Sequence, residues 1–162
     1  MILVVDSSAL ITLARIGRLP LLQQLASQVV APHAVYEEVV GQRGRPGEVE
    51  VNQASWIFRQ RVRDANRVAF LQTELARGES EAIVLAGEIN ADFVILDDAR
   101  ARQIAQRSGL RVIGLLGLLI RAKELGLIDA IKPLLDDMIK AGFYIGATVY
   151  RDVVEKAGES SI

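Results

Sequence analysis

Four short apolar runs constrain this chain more than any other feature: "ILVV" at 2–5, "SQVVAP" at 27–32, "DFVILDD" at 92–98 and "LRVIG" at 110–114. Each is too short for a helix and rich in β-branched residues. Each is also apolar at consecutive rather than alternating positions, the pattern of a strand buried on both faces. Between them lie stretches with helical spacing, such as "DSSALITLARIGRLPLLQQLA", broken at Gly17 and Pro20. Parallel strands need crossover connections, usually helical, so the expected class is α/β with a central parallel sheet of four to five strands. "SWIFRQRV" at 55–62 alternates only imperfectly and is expected as an edge strand.

The helices follow from the same periodicity. "HAVYEEVV" at 33–40 has Pro32 at its first turn and stops at Gly41, after which "GQRGRPGE" reads as a loop. "ANRVAFLQTELARGESEAIVLAGEINA" predicts two helices separated near Gly78, and "ARARQIAQRSG" predicts one ended by Gly109. The remainder is expected to be helical, with breaks at Gly126 and around "AGFYIGA".

With 162 residues, 51% of them apolar, a single domain spanning 1–162 is expected. Asp6 interrupts the apolar N-terminus, and every 18-residue window carries a charge, so the chain is expected to be soluble, cytoplasmic and without membrane contact. The absence of cysteine excludes disulfides, thiolate zinc sites and cysteine nucleophiles, and the lone His33 cannot form a histidine metal cluster. His33 itself is expected to lie exposed at a helix start. With 19 basic and 20 acidic residues there is no global positive field, which leaves only a local patch for nucleic acid.

Acids carry the chemical signal. Asp6, Asp97 and Asp98 stand at carboxyl ends of expected strands, the edge where open α/β sheets place ligands. Asp6 and Asp98 also precede helices and can serve as N-caps, and Glu79 and Glu81 open a helix, where negative charge complements the dipole. On the helix of "HAVYEEVV", Glu37 falls opposite the apolar face and Glu38 on its flank, which makes Glu38 the better candidate. Glu79 and Glu81 fall on opposite flanks of their helix, and periodicity leaves both open. Carboxylates converging on one crevice raise each other's pKa unless a hard divalent cation neutralises them. Oxygen-only ligation suits Mg²⁺ or Mn²⁺, which activate water and clamp phosphodiester oxygens. An aspartyl-nucleophile phosphatase is disfavoured, since "DSSAL" lacks a second aspartate two residues on, and a receiver domain carries its acidic pair after the first strand.

"VVDSSALITLARIG", "APHAVYEEVV", "GESEAIVLA", "FVILDDARARQIA" and "VIGLLGLLIRAKELGLI" together resemble the PIN-domain superfamily. Within it they resemble the PIN-like branch, formerly of unknown function, that is related to VapC-type toxins. "AGFYIGATVYRDVVEKAGE" is similar to that branch's ending, so the likeness covers nearly the whole chain. The resemblance implies a three-layer α/β/α sandwich and a Mg²⁺- or Mn²⁺-dependent endoribonuclease. Its ligands would be Asp6, Glu38, Glu81 and Asp98, with Asp97 as an assisting neighbour and Glu79 as the rival third acid. Toxin-like members carry an aspartate where Glu81 stands, and a Thr or Ser near the strand end where this chain has Leu96 and Asp97. The resemblance further implies a homodimer and, for a toxin, a small antitoxin protein covering the acidic crevice.

Ser7 and Ser8 can orient a carboxylate or a metal-bound water, or simply help cap the first helix. Arg43, Arg45, Arg100 and Arg102 can hold RNA phosphates, with a solvated face as the plainer reading. "VIGLLGLLI" reads as core, its Gly114 and Gly117 permitting close helix packing. The alternative to catalysis is an inactive PIN-like module that binds nucleic acid or protein.

Overall fold

The structure, a computed structural model, describes residues 1–41 and 43–159. Five strands form one sheet: β1 (Ile2–Val4), β2 (Gln28–Pro32), β3 (Ile57–Gln60), β4 (Phe93–Ile95) and β5 (Val112–Ile113). Their order is β3-β2-β1-β4-β5, and every pairing is parallel. "SWIFRQRV" therefore does form an edge strand. The chain leaves β1 to build one half of the sheet and returns beside β1 with β4 to build the other, which makes β1 the switch point.

Helices cover both faces, as buried parallel strands require. On one face α1 (Ser7–Arg15), α2 (Leu21–Leu25), α3 (His33–Val40), α4 (Glu48–Gln53), α8 (Leu115–Glu124), α9 (Lys132–Lys140) and α10 (Ala147–Lys156) enclose Leu3, Val5, Val29, Ala31, Ile57 and Ile95. On the other α5 (Ala65–Leu71), α6 (Arg77–Glu88) and α7 (Ala99–Arg107) enclose Val4, Val30, Val94 and Leu96. Neighbours along a strand thus alternate between two apolar clusters. That alternation between two cores is why the runs read as continuously apolar. No described helix is long and apolar enough to cross a membrane.

Several local expectations change. The break before α6 falls at 72–76, not at Gly78, which lies inside the first turn of α6. Helix α4 stands directly after the expected loop, of which Gln42 lies outside the described residues; its first turn carries Glu48 and Glu50, which suit a helix N-terminus. His33 is buried rather than exposed. Arg59, on edge strand β3, donates Nε to His33 Nδ1 at 2.8 Å, and Glu37 Oε1 lies 2.8 Å from His33 Nε2. Arg59 in turn lies over the Tyr36 ring, 5.2 Å from its centroid. Side chains of α3 and β3 therefore enclose the imidazole.

Candidate active site

Asp6 emerges two residues after β1 and caps α1, its Oδ1 accepting from the Ala9 amide at 2.9 Å. Capping fixes the carboxylate in a buried position, only 6% exposed. Burial pushes its pKa up from 3.8 to about 7, against the pull of the Ala9 amide; the charges of Asp97 and Glu79 push it further up. The capping role and an ionisable site are thus the same residue in the same geometry.

Asp97 and Asp98 follow β4, and the turn into α7 separates them. Asp98 caps α7, its Oδ2 accepting from the Ala101 amide at 2.9 Å, and remains exposed. Asp97 turns inward, where Oδ1 accepts from the Leu115 amide at the start of α8 at 3.1 Å. Its Oδ2 is buried without a hydrogen-bond partner among the described residues. Burial raises the pKa of Asp97, while the Leu115 amide and the Arg102 guanidinium hold it down. The inward member of the pair is therefore Asp97, while Asp98, the ligand expected from sequence, stands at the exposed N-cap of α7.

The glutamates also separate. Glu79, half-buried in the first turn of α6, has its pKa raised by burial and by the charges of Asp98 and Glu38. Glu38 reaches this neighbourhood from α3, as its flank position predicts. The approach is close at Gly78, where an added Cβ would stand 3.2 Å from Glu38 Oε2 and 3.3 Å from Val35 Cγ2. Glu81 does something different. Its Oε1 accepts from the Ala34 amide at 3.1 Å and its Oε2 from Arg77 Nε at 3.0 Å, which satisfies a carboxylate that is 4% exposed. Glu81 thereby stitches α6 to the first turn of α3, and Glu79 is the glutamate of α6 whose charge acts on Asp6.

The structure so brings Asp6, Asp97, Glu79, Asp98 and Glu38 into one electrostatic group at the carboxyl edge of the sheet. Among the described residues no three acids stand close enough, as placed, to hold a metal ion. The donor set nonetheless suits a hard divalent cation. Its donors are oxygens alone, Asp97 Oδ2 is a buried oxygen without a partner, and the charge of Asp6 is disfavoured without a counter-charge.

Ser7 is half-buried and Ser8 exposed, and neither hydroxyl bonds a described residue; Asp6 caps α1 alone. Arg43 and Arg45 are exposed, with Arg45 donating to the Glu38 carbonyl at 3.3 Å. Arg100 pairs with Glu74 and donates to Gln103 Oε1 at 3.1 Å. Arg102 lies inside the site, donating Nη1 to the Leu96 carbonyl at 3.4 Å. Gly114 leaves it room, since a Cβ there would stand 2.5 Å from Arg102 Nη1 and 3.2 Å from Asp97 Oδ1. That explains Gly114, which sequence alone assigned to helix packing.

Comparison with known proteins finds no match among curated proteins. Among solved structures, a PilT N-terminus domain protein from the hyperthermophilic archaeon Sulfolobus solfataricus P2 aligns at 18% identity, covering 75% of this chain and 93% of its own, with a TM-score of 0.49. The family model DUF3368, described as a PIN domain, matches residues 2–159. PIN domains are generally nucleases and typically use divalent metal ions. With all but its terminal residues matched, this chain belongs to the PIN-domain family.

Proposed function

We propose that this chain is a metal-dependent endoribonuclease that holds one or two Mg²⁺ or Mn²⁺ ions on Asp6, Asp97 and Glu79, with Asp98 and Glu38 at the rim. The observation that carries the reading is Asp6, a carboxylate buried where its charge is unfavourable and faced by two further acids. Asp97 Oδ2, buried and partnerless, points the same way. A fold retains such a group against its own stability where the group has work to do.

Each residue contributes through its geometry. The Ala9 and Leu115 amides each bind one oxygen of Asp6 and of Asp97, which leaves the other oxygen of each acid for a ligand. Glu79 and Asp98 extend the oxygen-donor set toward solvent, where a phosphodiester would enter, and Arg102 offers positive charge beside it. A bound divalent ion would supply an activated water and charge neutralisation on the phosphate. Arg43, Arg45 and Arg100 are the outer candidates for phosphate contact. The toxin form of this reading, with an antitoxin over the crevice and a homodimeric chain, rests on the resemblance.

Divalent-dependent cleavage of single-stranded RNA by the purified chain, lost in Asp6→Asn, tests the proposal. Full activity in Asp6→Asn would sink it. The carboxylates' separation as placed favours the inactive binding module as the second reading. Calorimetric titration with Mn²⁺ separates the two, because a module without a divalent site gives no heat that Asp97→Asn removes.

A further inference from the structure

The outer face of α7 borders a groove of about 680 Å³ lined by Asp97, Ala99, Arg100, Arg102, Gln103 and Gln106. Asp97 lines it and also belongs to the acidic cluster, so groove and cluster adjoin at that residue. No large apolar side chain lines it. The lining chemistry is two guanidiniums, two carboxamides and one carboxylate, which suits a ligand carrying both anionic groups and hydrogen-bonding edges.

The lining is arranged by bonds rather than left to chance. Arg100 is tied to Glu74 and donates a further N–H to Gln103 Oε1, which engages the Gln103 carboxamide through its oxygen. Arg102 occupies the space that Gly114 leaves open, at the junction of groove and crevice. Gln106 stands one turn beyond Gln103 on the same helical face.

We propose that this groove seats the nucleotides flanking the scissile phosphate of a single-stranded RNA. Arg102 grips the backbone next to the crevice, and Gln103 and Gln106 hydrogen-bond base edges. The substrate class rests on the ribonuclease reading above; the groove adds that the chain discriminates among RNA sequences. Arginine and glutamine side chains have these separate aptitudes, the first for phosphate and the second for base edges. Single strands expose unstacked base edges that a duplex hides from so narrow a reader.

The test is fluorescence anisotropy with labelled eight-nucleotide oligo(A), oligo(U) and oligo(C), titrated with the full chain in a chelator so that no cleavage intervenes. The wild-type chain is expected to bind these three with different affinities. Arg102→Ala is expected to weaken all three alike, by about ten-fold, and to lower the salt slope by about one. The double variant Gln103→Ala/Gln106→Ala is expected to shrink the differences among the three while preserving the salt slope. Gly114→Ala, which displaces the Arg102 guanidinium, is expected to copy Arg102→Ala, and Arg107→Ala, outside the groove, to match the wild type. Should a variant fail to fold by thermal melting, Gln103→Glu on the exposed face of α7 replaces it, with weaker binding of all three expected. Absence of RNA binding by the wild type, or wild-type affinity and selectivity in every folded groove variant, overturns the proposal. Variant-sensitive binding by a chain that cleaves nothing upholds the groove and rejects the nuclease.

Discussion

Glu81 and Asp6 are equally hidden, at 4% and 6% exposure, yet their surroundings are opposite. Glu81 meets a backbone amide and a guanidinium, one for each oxygen, and closes the junction of α3 with α6. Asp6 meets one amide and then two acids, and its pKa rises to about 7. Glu159, like Glu81, has donors for both oxygens. It accepts from the Ile131 and Lys132 amides and from Lys123, and these bonds hold its pKa down. Burial alone thus does not leave a carboxylate's charge unfavourable; burial with donors for only part of its acceptor capacity does.

The comparison breaks most easily at Asp6. Asp6→Asn keeps an oxygen for the Ala9 amide, so the N-cap of α1 survives. Cleavage is expected to fall by more than about 100-fold, beyond the range for loss of a mere outer-shell partner. Stability of the metal-free chain should move the other way. The folded chain holds the Asp6 proton up to about pH 7, whereas an ordinary aspartate releases it near 3.8. Folded protein therefore binds more protons across that window, and stability falls as pH rises through it. The charge penalty is complete above pH 7 and corresponds to an upper limit of about 4 kcal/mol. Thermal melts in chelator should show the wild type losing stability between pH 5 and pH 8, with Asp6→Asn losing less and melting higher at pH 8. Parallel melting curves for the two proteins at both pH values would remove the distinction between Asp6 and Glu81.

Glu81 should give the converse pattern, with a smaller effect on catalysis. Glu81→Ala leaves the Ala34 amide buried without its acceptor and frees Arg77, at an expected cost of about 1–3 kcal/mol measured by urea unfolding. The folded fraction is expected to keep a cleavage rate close to the wild type. A stable but inactive Glu81→Ala would return Glu81 to the ligand set and displace Glu79.

What the sequence disclosed and what it hid divide along the same physical line. The sheet was legible because strands that feed two cores carry apolar residues at consecutive positions, as in "VVDSS" and "FVILDD". The carboxyl-edge location of Asp6, Asp97 and Asp98 followed from those strand ends. Glu38 followed from helical geometry, because its flank of α3 does face α6. Asp98 as the cap of α7 was legible; the inward turn of Asp97 was not, since its donor, the Leu115 amide, lies 18 residues on at the start of α8. Nor was the different placement of Glu79 and Glu81, because the partner that ties Glu81 down, the Ala34 amide, lies 47 residues away. His33 was misjudged for the same reason: Arg59, which helps to enclose it, comes from β3. Apolar periodicity reports which face is buried, and it is silent on which donors a buried polar group will meet.

The smallest expected effect is at Gly78, and it isolates Glu38 from the rest of the cluster. Alanine there gains about 1 kcal/mol of helix propensity in the first turn of α6. Against that stand the contacts its Cβ would make, 3.2 Å from Glu38 Oε2 and 3.3 Å from Val35 Cγ2. The Glu38 carboxylate is the mobile end of an exposed side chain and can yield, so the melting temperature should stay within a few degrees of the wild type. What yields is the position of a rim carboxylate, and cleavage should fall several-fold. If the loss comes through Glu38, then in a Glu38→Gln background the further change to Ala at 78 should cost less than it does alone. Full additivity of the two substitutions would place the Gly78 effect elsewhere in α6 and remove Glu38 from the crevice.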